Sequence, residues 1–128
     1  MKPISTKVHG ILDIATVGTL WAVPQLLRWS GRTKIMLAAA GVGMLGYSLC
    51  TRYQYGLVKA LPMKTHLLLD YISGATLAAA PLLLQDEPLT TKLMIAGLGL
   101  NEITVAALTE PNPLVSEQMK YAYLDLVS

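Results

Sequence analysis

Apolar residues fall into four runs, 8–27, 35–51, 65–84 and 93–109, divided by short polar segments. Each run is about 17–20 residues long, the length a helix needs to cross the hydrocarbon core of a bilayer. A water-soluble helix would show a polar stripe. The run 35–51 has no charged residue, and 93–109 has only Glu102. The pattern therefore predicts four transmembrane helices. Ser5 or Thr6 is placed to cap the first, the second runs from about Lys34 to Tyr53, Pro62 stands at the start of the third, and the fourth covers 90–109. The polar turns are 28–32, with Trp29 expected at interface depth, and 85–88. Pro111 and Pro113 stop helix 4, and the remainder, 114–127, alternates apolar and charged residues like a short interfacial segment.

The pattern also repeats. Residues 4–27 realign on 61–84 at an offset of 57: Lys7/Lys64, His9/His66, Leu12/Leu69, Asp13/Asp70, Thr19/Thr76, Leu20/Leu77, Ala22/Ala79 and Pro24/Pro81. The following stretch realigns one residue out of register, with Thr33, Gly41 and Thr51 answering Thr91, Gly99 and Thr109. One domain of 128 residues thus divides into repeat 1 (4–54), repeat 2 (61–110) and a tail (111–128). Each repeat holds two helices, so both copies insert the same way up, and the expected relation is a pseudo-two-fold axis along the membrane normal. The fold class expected is all-α, a four-helix transmembrane bundle of two parallel repeats. Pro24 and Pro81 are expected to kink helices 1 and 3 at matched positions, where neighbouring helices satisfy the freed backbone groups.

Composition agrees with a lipid environment. Hydrophobic residues make up 53% of the chain and charged residues 14%, and the mean hydropathy is +0.48. Lys2, Lys7, Arg52, Lys59, Lys64 and Lys120 gather at the face holding the termini, against Arg28, Arg32, Lys34 and Lys92 opposite. That bias puts both termini in the cytoplasm. The first run carries His9 and Asp13 and lacks a small-x-small cleavage site before Arg28, so it reads as a retained helix, not a cleaved signal. A net charge of +2 without a basic stripe excludes nucleic acid as a partner. The single cysteine, Cys50, excludes an intrachain disulfide.

Candidate chemistry centres on the two histidines, the only ones in the chain. His9 and Asp13 are i, i+4 neighbours on one helix face, extended by Thr16, and His66, Asp70 and Ser73 repeat the arrangement. The rise of 1.5 Å per residue puts Asp13 and Asp70 roughly 9 Å inside Lys7 and Lys64, and Glu102 about 12 Å inside Glu110. All three acids can share a layer. Ionisable residues at such depth are functional candidates by default. Glu102 has Met44 as its counterpart, so the duplication is broken there.

Three readings follow from the layer. His9, Asp13, His66, Asp70 and Glu102 form an acceptable ligand set for a divalent transition metal, and His9 facing His66 admits haem as a narrower variant. A pure packing network, holding the halves together, is the alternative. Proton or ion conduction through the acids is a second alternative. Arg52 and Glu110, at equivalent positions with opposite charge, are expected to pair. No nucleophile with its base and no oxyanion donor set is present, which favours a binding or structural protein over an enzyme. Glycines and alanines at 38–46 and 96–99 permit close approach within the bundle or in a homo-oligomer through helices 2 and 4.

The duplicated two-helix unit, with an Asp early in its first helix and L-x-x-x-P near the end, resembles the SPW-repeat family of small prokaryotic integral membrane proteins. The residues carrying the resemblance are Asp13, Gly18, Leu20 and Pro24, then Asp70, Ala75, Leu77 and Pro81. Val23-Pro24-Gln25 and Ala80-Pro81-Leu82 stand where the family has Ser-Pro-Trp. The resemblance implies an integral protein of the prokaryotic inner membrane and carries no catalytic residue over.

Overall fold

The computed structural model describes residues 2–112 and 124–127. The chain is all-α: the described residues hold no strand, and the long elements are α1 (Thr6–Leu26), α2 (Gly31–Leu49), α3 (Met63–Ala79) and α4 (Leu89–Leu108). Ser5 caps α1 by accepting from the Val8 amide, and Ser30 caps α2 by accepting from Thr33. Pro62 and Pro88 occupy the N-cap positions of α3 and α4, where a missing amide hydrogen costs nothing. Arg28 leaves α1 in the left-handed region at φ 55°, a site that usually takes glycine.

Several expectations need correction. Helix α2 ends at Leu49, not Tyr53, because the chain turns to pair Thr51 with Leu61 in a parallel bridge. Pro24 lies inside α1, but at Pro81 the α-helix has already given way to a 3-10 turn, Ala80–Leu83. Trp29, expected at an interface, is buried with Leu20, Leu37, Leu77 and Ile95. Arg52 and Glu110 do not pair. The Arg52 Nε donates to the Lys59 carbonyl at 3.0 Å, and Glu110 accepts from the Lys2 and Asn112 amides at 3.3 Å. Of the amphipathic tail, residues 113–123 lie outside the described residues, and Leu124–Val127 form a helical turn.

Helices α1–α2 and α3–α4 are the closest pairs, and α2–α3 and α1–α4 meet along narrower seams. The two close pairs are built differently. A Cβ on Gly99 would collide with the Gly74 carbonyl and the Ala78 amide, so α3 and α4 touch backbone to backbone. A Cβ on Gly41 would instead strike the Trp21 indole, which fills the α1–α2 seam and donates to the Ala38 carbonyl at 3.2 Å. Gly43, Gly46 and Gly97 face open space.

Two of these helical stretches are long and apolar enough to cross a membrane: Met63–Leu83 and Leu89–Leu108. Arg32 and Lys34 lower the hydropathy of α2, whereas Lys7, His9 and Asp13 on α1 have counterparts in Lys64, His66 and Asp70 on α3 and do not set α1 apart. Polarity is distributed inside out. Buried positions include Thr6, His9, Asp13, Ser48, Thr51, His66, Asp70, Glu102 and Thr109, whereas Ile11, Ile14, Ile35, Val42, Leu68, Ile72, Leu93 and Leu100 are exposed.

Candidate metal centre

The polar layer sits between two apolar plugs. On one side is the Leu20, Trp29, Leu37, Leu77, Ile95 cluster, and on the side of the chain termini lie Tyr53, Met63, Leu67 and Ala106. Gly10 permits the second plug, because a Cβ there would collide with the Tyr53 and Tyr55 rings, which meet edge to face. The i, i+4 spacing turns each His and Asp to the same face, and α1 and α3 present these faces to one another.

His9 Nε2 lies 3.2 Å from Asp13 Oδ1 in its own helix and 3.0 Å from Asp70 Oδ2 in the other. His66 Nε2 lies 3.3 Å from Asp70 Oδ2 and 3.0 Å from Asp13 Oδ2. The two Nε2 atoms are 3.1 Å apart. All four side chains are buried, and a ligand atom of each falls within 4.8 Å of the others, an arrangement that could hold a metal ion.

Two threonines fix the imidazole tautomers. Thr109 Oγ1 spends its hydrogen on the Val105 carbonyl at 2.6 Å, so at 2.8 Å from His9 Nδ1 it can only accept. Thr51 Oγ1 donates to the Tyr47 carbonyl at 2.6 Å and accepts from His66 Nδ1 at 2.8 Å. Both Nδ1 atoms therefore carry hydrogen, and each Nε2 turns toward the carboxylates. Ser48 donates to Asp13 Oδ2 at 2.9 Å and Tyr47 to Asp70 Oδ1 at 2.7 Å, orienting both acids. Such outer partners aim metal ligands. Two nitrogens and two carboxylates buried this close together are stable only with positive charge among them, either protons on the Nε2 atoms or a divalent cation.

The geometry discriminates between cofactors. Tetrahedral coordination with bonds of about 2.0–2.1 Å sets ligand atoms roughly 3.3–3.4 Å apart. The imidazole–carboxylate and Nε2–Nε2 distances run 3.0–3.3 Å, with Asp13 turning a different oxygen to each imidazole, and one ligand atom of each residue lies within 4.8 Å of the others, so a small ion fits among them without the four atoms forming a closed tetrahedron. Haem between His9 and His66 does not fit, since an iron with bonds of that length needs its axial nitrogens about 4 Å apart. The cavity beside them is also far smaller than a macrocycle.

Glu102 is buried but lies outside the four-residue cluster. Its Oε1 accepts from Ser73 and, at 3.3 Å, from Tyr47. Tyr47 thus joins Glu102 to Asp70. Thr16 bonds back to the Leu12 carbonyl at 2.9 Å and lines a small cavity between α1 and α4 with Glu102 and Asn101. Across the molecule, between α2 and α3, is a groove of about 390 Å³ with apolar walls from Met36, Ala40, Met44 and Leu77. Sequence reasoning matched Thr51 with Thr109 but gave them no role, although a matched hydroxyl ending each second helix was the available signal. Tyr47 and Ser48 align with Val105 and Ala106, so the duplication held no clue to them.

The chain matches no protein-family model, no curated protein and no solved structure.

Proposed function

We propose that this is a small integral membrane protein that holds one divalent transition-metal ion between two repeats, with His9, Asp13, His66 and Asp70 as ligands. The observation that carries the reading is the convergence of two tautomer-fixed Nε2 atoms and two carboxylates, one ligand atom of each lying within 4.8 Å of the others.

The repeat relation draws support from contacts that recur at the sequence offset. His9–Asp70 answers His66–Asp13, His9–Thr109 answers His66–Thr51, and the Ile4–Thr109 bridge answers Thr51–Leu61. A pseudo-two-fold through the cluster, with four spanning helices and both termini cytoplasmic, accounts for these pairs. Exposed isoleucines and leucines around a polar interior support lipid as the surrounding medium, because a soluble protein would bury them. The same reading keeps the resemblance to SPW-repeat proteins of the prokaryotic inner membrane.

The test is metal analysis of detergent-purified protein after loading with Zn²⁺, Fe²⁺ or Mn²⁺. About one equivalent per chain is expected in the wild type, and none in His66→Ala or Asp70→Asn, with helical circular dichroism unchanged. A wild type that takes up no metal, but melts earlier when His66 is replaced, would establish the packing network instead.

A further inference from the structure

The cavity between α1 and α4 bears on what the centre can do. Three of the four cluster residues, His9, Asp13 and Asp70, line it together with Thr16, Asn101 and Glu102. Its volume of about 10 Å³ is that of one water-sized sphere. Among the described residues Glu102 Oε2 is a buried side-chain oxygen that lacks a hydrogen-bond partner, and Asp70 Oδ2 has only the two imidazole Nε2 atoms beside it; both belong to residues of this lining. Glu102 is only 5% exposed, and Ser73 and Tyr47 hold its other oxygen, so its orientation is fixed. A buried carboxylate oxygen left without a donor is costly, and a polar void of this size with several acceptors around it is where an ordered water belongs.

We propose that the metal keeps one coordination position open toward this cavity, filled by a water that donates a hydrogen bond to Glu102 Oε2. A monatomic anion of the size of water, such as fluoride, can replace that water. The inference rests on the metal-binding reading and goes beyond it. A site closed by four protein ligands is structural, whereas one that keeps an exchangeable position can activate what binds there. Glu102, which the duplication does not explain, then acts as the acceptor beside the exchangeable ligand. The opposite groove cannot serve, because its walls are apolar and its hydroxyls, Tyr47 and Ser73, are already engaged.

The experiment uses the full chain in detergent loaded with Co²⁺, whose visible bands are intense when four-coordinate and weaker when five-coordinate, and fluoride as a probe of the size of water. The wild type is expected to give weak bands that fluoride shifts saturably. Val105→Phe, which fills the cavity, should bind Co²⁺ with intense bands that fluoride leaves unmoved; Thr16→Leu serves the same purpose if the first variant does not fold. Glu102→Gln should tighten fluoride about tenfold or more, since a neighbouring negative charge is removed from a buried site. Intense, fluoride-insensitive bands in both the wild type and Glu102→Gln overturn the open position and leave the metal reading standing. No Co²⁺ uptake in the wild type overturns both.

Discussion

Thr109→Val is the substitution that most directly asks why the cluster is built as it is. Valine keeps the shape of threonine and removes one oxygen, the atom that accepts from His9 Nδ1 at 2.8 Å. Two losses follow. The buried Nδ1–H is left without an acceptor, which costs the apo protein about 1–3 kcal/mol. The imidazole also loses the partner that turns Nε2 toward Asp13 and Asp70, and removal of such an outer partner typically weakens metal affinity by about 10–100-fold, or roughly 1.4–2.7 kcal/mol. Thr51→Val should act alike through His66, whose Nδ1 stands at the same 2.8 Å from its hydroxyl. The control is Thr104→Val, because the exposed Thr104 hydroxyl bonds only the Leu100 carbonyl. Competition titration of Zn²⁺ against a chromophoric chelator, with thermal melts of the apo protein, separates the two losses. Stability lost in Thr109→Val with zinc affinity within twofold of the wild type would refute the orienting role and leave hydrogen bonding alone as the role of the threonines.

The other expectations are simpler. His9→Ala should lose stoichiometric metal while the helical signal persists, read by elemental analysis and circular dichroism, since both apolar plugs remain. Glu102→Gln should keep the metal equivalent, because the ligand atoms of the four-residue cluster do not include it; loss of the metal would make it a direct ligand. Gly99→Ala should destabilise by about 1–3 kcal/mol through overpacking, whereas Gly43→Ala, facing open space, should leave the melting temperature unchanged. Glu87, in the turn before α4, accepts from the Ser30 amide at 3.0 Å and the Thr33 hydroxyl at 2.6 Å, and these bonds hold its carboxyl below the usual range. A depressed folded pKa stabilises above the unfolded value and loses that stabilisation as pH falls through the folded one. Glu87→Gln should therefore lower the melting temperature at pH 7, and the gap from wild type should close on acidification below about pH 4.

The sequence by itself determined the elements and the candidates. Run length and helix-start residues located the four helices to within a few residues, because apolar stretches and N-caps act locally. The i, i+4 spacing put each His beside its own Asp, a relation set by helix geometry whatever the neighbours do. Only the tertiary structure decided the rest. That His9 reaches Asp70, that His66 reaches Asp13, and that the Nε2 atoms meet at 3.1 Å depends on how closely α1 and α3 approach. That placement follows from how α1 packs on α2 and α3 on α4, at an indole and at glycines whose partners lie on the other helix of each pair. Arg52 escaped its expected partner for the same reason, since the bridge between Thr51 and Leu61 turned it toward a nearby carbonyl. Glu102 was visible as an isolated acid, but its place beside a cavity and outside the four-residue cluster follows from Tyr47 and Ser73, which reach it from two other helices. Side chains that converge from different helices obey distances that no single-chain periodicity encodes, and those distances separate a set of ligands from a row of polar residues.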